Sequence, residues 1–66
     1  MNKVLRERRR AFSLTQDQIA EQAGISLRAY QYFEKGERVP RAETANRLAE
    51  ILHTSSMEIW GVRKEA

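Results

Sequence analysis

QIAEQAGISLRAYQYFEKG, residues 18–36, contains two stops in the helical pattern, Gly24 and Gly36. Glycine just past the last periodic position is the usual left-handed end of a helix. Ser26, two residues after Gly24, is a good N-cap. The stretch therefore predicts one helix ending at Ala23, a very short turn, and a second helix opening at Ser26 and running to Lys35. At about 100° per residue, Tyr30 and Phe33 point one way, and Arg28, Gln31, Tyr32 and Lys35 point the other. Leu27 and Ala29 lie on the flanks. So short a turn makes the two helices cross steeply. Ala20 is small where the second helix must approach, and Ile25, Tyr30 and Phe33 fill the wedge.

On either side the chain stays helical. Helix two starts at Gln16, with Thr15 as N-cap and Gln18 completing a capping box; Ile19, Ala20 and Ala23 face inward. Helix one runs from Lys3 to Phe12 on a stripe of Leu5 and Phe12, with Val4 and Ala11 beside it. Arg9 falls on that stripe, and a charge half-buried there needs a carboxylate. Glu34, on the core side of helix three, is the natural one. Glu37 to Pro40 is a loop. Helix four spans Arg41 to Leu52, with Ala42, Ala45, Leu48, Ala49 and Leu52 inward. Helix five is short, Ser56 to Trp60, capped by Ser55 or Ser56, with Ile59 as its core residue. No hairpin signal or period-two run interrupts this. The expected fold is all-α, a compact bundle of five short helices containing a helix-turn-helix.

A chain of 66 residues makes one domain, taken as residues 1–62 with a short flexible tail at 63–66. Met1 suggests a natural start. So small a core is marginal alone, and a partner subunit helps it. The chain has no cysteine, hence no disulfide and no thiolate metal site, which fits a cytoplasmic protein. His53 is the only histidine and fits a position after helix four better than a metal site, so neither metal nor cofactor is expected. Asp17, Glu21 and Glu58 form no paired catalytic site, no nucleophile–base arrangement is visible, and no enzyme is expected. Apolar runs are too short for a membrane span, and MNKVLRERRR has no apolar core of a secretory signal. The net charge of +3 permits nucleic-acid binding without demanding it. Its distribution says more: one cluster at Lys3, Arg6, Arg8, Arg9 and Arg10, another at Arg28, Lys35, Arg38 and Arg41.

Nearly the whole chain, Leu5 to Trp60, resembles the phage-repressor and Cro type of helix-turn-helix DNA-binding domain. The resemblance is carried by LRERRRAFSLTQDQIAEQAGIS, YQYFEKGERVP and ANRLAEIL in one register, followed by a Ser-capped last helix. It implies a lambda-repressor-like fold with helix three in the major groove. By the same resemblance, Gln16 meets a DNA phosphate, and Leu27, Arg28, Gln31 and Tyr32 face base edges. Ser26, Lys35, Arg38 and Arg41 match backbone contacts, and Arg9 and Glu34 match a buried ion pair. The family commonly dimerises through helix five and the segment before it, where Met57, Trp60 and Val62 supply an apolar patch. Three positions depart from the pattern. Ser13 and His53 stand where glycine is usual, at points that want positive φ, and Ser56 stands where an apolar residue is common.

The outer face of helix three suits a base reader. Arginine donates two bonds to guanine, and glutamine bridges adenine N6 and N7. Tyrosine offers its ring to a thymine methyl or its hydroxyl to a phosphate. The plainer reading is a solvated face, and for Arg6, Arg8 and Arg10 that reading, with a general positive field, is preferred. Two functions follow. The first is a homodimeric, sequence-specific transcriptional regulator on a near-palindromic double-stranded DNA operator. The alternative is a protein-interaction module, such as an antitoxin whose main partner is another protein held at Met57 to Val62.

Overall fold

Four of the five helices begin where a side chain accepts a free backbone N–H. In a computed structural model describing residues 1–61, these are α1 (Lys3–Ala11), α2 (Gln16–Ala23), α3 (Leu27–Lys35), α4 (Ala42–Ile51) and α5 (Ser56–Trp60). Asn2 caps α1 through Leu5 N–H, Ser26 caps α3 through Ala29 N–H, and Ser55 caps α5 through Glu58 N–H. At α2 the capping box is complete: Thr15 Oγ1 accepts from Gln18 N–H at 3.0 Å, and Gln18 Oε1 accepts from Thr15 N–H at 2.9 Å. Only α4 lacks a side-chain cap, and Glu43 in its first turn complements the helix dipole instead.

Gly24 (φ 72°) and Gly36 (φ 81°) end α2 and α3 in the left-handed region. Ser13 (φ 57°) and His53 (φ 55°) adopt it too, without glycine's freedom. Each corner is held by backbone bonds that close the preceding helix. Leu14 N–H donates to Arg9 O at 3.1 Å, and Thr54 N–H to Ala49 O at 2.9 Å.

The core gathers Leu5, Ile19, Ala20, Ala23, Tyr30, Leu48, Ala49, Leu52 and Ile59. Around it α2 packs on α3 and α4, α4 on α5, and α1 on α3 and α5. Arg47 Nη1 donates to Ala23 O at 3.0 Å, so α4 satisfies a carbonyl at the open end of α2.

Some inward assignments fail. Phe12, expected on the α1 stripe, is the C-cap residue and 43% exposed. Its ring lies 5.2 Å from that of His53, so it covers the second strained corner and not the core. Val4 and Ala11 are also exposed, leaving Leu5 as the only fully buried residue of α1. Ala42 is exposed because it opens α4, a turn before the stripe reaches the core at Ala45. Ser56 is 6% exposed, and its hydroxyl donates to Asn46 Oδ1 at 2.9 Å. A hydrogen bond thus docks α5 on α4 where an apolar residue is common.

Asn2 fastens three helices. Its backbone N–H donates to Glu34 O at 2.9 Å, its Oδ1 caps α1, and its Nδ2 donates to Ile59 O at 3.1 Å.

Candidate nucleic-acid interface

The inner face of α3 carries a carboxylate that the fold surrounds with donors. Glu34 is 6% exposed. Arg9 Nε donates to its Oε2 at 2.8 Å and Arg9 Nη2 to Oε1 at 3.3 Å. The hydroxyl of Tyr30, one turn back, donates to Oε2 at 2.6 Å, and Gln16 Nε2 donates to Oε1 at 2.9 Å. The third Arg9 nitrogen donates to Leu14 O at 2.8 Å, so one guanidinium holds both Glu34 and the loop leading into α2. Burial alone pushes the Glu34 carboxyl up; the bonds from Arg9, Tyr30 and Gln16 outweigh it and hold the group below the usual carboxylate range. The bond to Glu34 holds Arg9 above its ordinary value against burial. Burial first, then the bond to Glu34, drives the Tyr30 phenol well up.

This lock reaches the outer surface through Gln16. A carboxylate only accepts, so Gln16 must turn its NH2 toward Glu34 and its carbonyl away. That carbonyl accepts from Gln31 Nε2 at 3.3 Å. The order of donors fixes the amide of Gln31 too: its nitrogen faces Gln16, and its Oε1 is left unengaged by that chain of bonds.

The outer face of α3 is open. Arg28, Gln31, Tyr32 and Lys35 line one shallow cleft. The Arg38 guanidinium, from the loop after α3, sits 4.6 Å from the centre of the Tyr32 ring. A neighbouring cleft joins Gln16, Gln31 and Lys35 to Arg6. A third brings Leu27 and Gln16 beside Arg6 and Arg10. Ser26 and Arg41 lie outside these three clefts, as N-caps of α3 and α4. At the far end, Met57 is 46% exposed, and Trp60 is half-buried with its indole N–H out of solvent and unpaired among the described residues. Val62 and the 63–66 tail lie outside the described residues. No helix of the described residues is long and apolar enough to cross a membrane, and none of their His, Asp and Glu side chains cluster as a metal site.

The packed α2–α3 pair, joined by the short turn at Gly24, agrees with a comparison of the sequence with known families, in which the family described as helix-turn-helix matches residues 5–59. The chain belongs to the Cro- and repressor-type helix-turn-helix family. The chain is similar to the cryptic phage CTXphi transcriptional repressor RstR of Vibrio cholerae serotype O1 (strain ATCC 39315 / El Tor Inaba N16961). The two are 39% identical over 57 residues, covering 86% of this chain and 51% of the relative. The chain thus spans about half the length of the curated relative it matches.

In this helix-turn-helix protein two α1 arginines lie beside the clefts that Gln16 lines. Arg6 is half-buried and lines both clefts beside Gln16, and Arg10 is exposed and lines the one that holds Leu27. Their four-residue spacing, on the side of α1 that also carries Arg9, was the available signal. Arg8 points elsewhere and meets Glu58 at 3.5 Å on the exposed surface.

Proposed function

We propose that the chain is a sequence-specific DNA-binding transcriptional regulator that reads the major groove with α3. The observation that carries this reading is the outer face of α3. Arg28, Gln31, Tyr32 and Lys35 share one cleft there, and Gln31 is already oriented through Gln16 by the buried Glu34. A glutamine presented with its oxygen free and one N–H remaining matches adenine, which offers N6–H and N7 on the same edge. Arg28, exposed and without a partner among the described ion pairs, suits guanine O6 and N7. Leu27 and Tyr32 suit thymine methyl groups.

Phosphate contacts position the reader. The free N–H groups at the start of α2, beside Gln16, form an anion-binding end. Ser26, Lys35, Arg38 and Arg41 flank α3 and supply the remaining backbone contacts, with Arg6 and Arg10 beside Gln16. These contacts make the affinity depend on salt. The protein acts in the cytoplasm as a homodimer joined near Met57, Trp60 and Val62, with half-sites roughly 34 Å apart on a near-palindromic operator. Occlusion of a promoter is then the simplest regulatory act.

Fluorescence anisotropy on random duplex DNA and on a duplex selected from a random pool tests this. The selected duplex is expected to be near-palindromic and to bind far more tightly than random DNA, with Arg28→Ala losing that margin. Equal weak binding of every duplex by both proteins would move the search to a protein partner at Met57 to Val62.

A further inference from the structure

Arg38 is exposed and lies three residues past the end of α3, where an arginine ordinarily samples many rotamers. Here the chain brings it back over the reading helix. Gly36 turns in the left-handed region, and Glu37 N–H donates to Tyr32 O at 3.0 Å, which folds the loop onto the turn that carries Tyr32. Pro40 is buried and anchors the far side of the same loop. Between these two fixed points the Arg38 guanidinium lies 4.6 Å from the Tyr32 ring centre, within cation–π range.

The contact covers one face of the Tyr32 ring. It leaves the N–H edge of the guanidinium free to donate to an anion. Tyr32 itself lines the cleft shared with Arg28, Gln31 and Lys35. A lysine at the same place would keep the charge but neither stack as a plane nor donate as a fork.

We propose that Arg38 is a positioning residue for Tyr32: it holds the ring in its reading pose while its own N–H edge binds the adjoining phosphate, so that the two side chains read DNA as one unit. The proposal rests on the DNA-binding reading above. Base preference at the step that Tyr32 touches then depends on the shape of residue 38 as well as its charge.

Anisotropy titrations of the whole chain would use the selected duplex, its single-base-pair variants and a random duplex. The proteins are wild type, Arg38→Lys, Tyr32→Leu, the double variant and Arg28→Ala, each checked for folding by circular dichroism. Arg38→Lys is expected to weaken binding to every duplex, random DNA included, and beyond that uniform loss to give up about three- to fivefold of discrimination at one base pair, the scale of an exposed cation–π contact. Tyr32→Leu should lose discrimination at that same base pair, and adding Arg38→Lys to it should cost nothing further there. An Arg38→Lys profile identical to wild type, or effects that multiply in the double variant, would overturn the coupling. If Arg28→Ala still loses specificity in that case, the DNA-binding reading survives it. If wild type prefers no duplex, both fall together.

Discussion

The two faces of α3 treat polar groups in opposite ways. Inward, Glu34 is enclosed and receives donors from Arg9, Tyr30 and Gln16. Outward, Arg28 and Lys35 stand in water and meet no carboxylate among the described ion pairs. A buried polar group is costly unless satisfied, so the inner face is a matter of stability. An exposed donor costs nothing to leave open, so the outer face is free to hold groups chosen for another molecule. Gln16 and Gln31 join the two regimes: a rigid interior sets the orientation of a surface amide.

The largest effect should come from breaking the inner face. Arg9→Met leaves the Glu34 carboxylate enclosed without its cation and is expected to cost about 3–5 kcal/mol in urea unfolding, enough to unfold much of so small a domain. Combining it with Glu34→Leu should recover most of that loss. A double variant as unstable as the single one would show that shape, not charge, governs this face.

Titration probes the same lock from both sides. The folded Glu34 carboxyl is held below its unfolded value, so its contribution is complete above the ordinary carboxylate range, about pH 4.3. It disappears as pH falls through the lower folded value. Tyr30 is raised, so its contribution is complete below about pH 10, where the unfolded phenol ionises, and fades above it. Thermal unfolding across pH should show both limbs, with Glu34→Gln flattening the acid one and Tyr30→Phe the alkaline one.

The outer face should respond in the converse manner. Arg28→Ala is expected to remove about 1–3 kcal/mol of discrimination between selected and random duplexes, while urea stability changes by less than about 0.5 kcal/mol. A large stability loss would make Arg28 part of the scaffold and erase the contrast between the faces.

The smallest effect belongs to a site off both faces. Ser13→Gly relieves the left-handed strain at φ 57°, and the gain, reduced by glycine's greater freedom when unfolded, should be at most about 1 kcal/mol. His53→Gly should gain less, because the Phe12 ring loses its neighbour.

What the sequence made legible were local signals and one long-range necessity. Thr15 with Gln18, Ser26, Gly24 and Gly36 place helix ends because capping depends on three or four neighbouring residues. Arg9 and Glu34 could be paired across 25 positions because a charge on an apolar stripe demands a partner. Phe12 and Ala42 were misplaced because a stripe drawn by periodicity does not reveal where a helix outruns the core. The Gln16–Gln31 link and the Arg38–Tyr32 stack were invisible, since each joins polar residues that water would satisfy equally well. Only the crossing of α2 with α3 and the return of the loop bring them together.

Asn2 has a consequence for how long the folded molecule lasts. Its bond to Ile59 spans 57 positions, far more than the stretch of chain between α2 and the α3 and α4 helices it packs on. Closing so wide a loop is entropically late, so this clasp belongs after the main barrier to folding. Contacts made after that barrier leave the folding rate alone and slow the escape from the native state. In a stopped-flow measurement, Asn2→Ala should therefore leave the refolding arm in place and raise the unfolding arm. The amide that joins the start of α1 to α5 then adds to the native lifetime, whereas α2, α3 and α4 set how quickly the fold is reached.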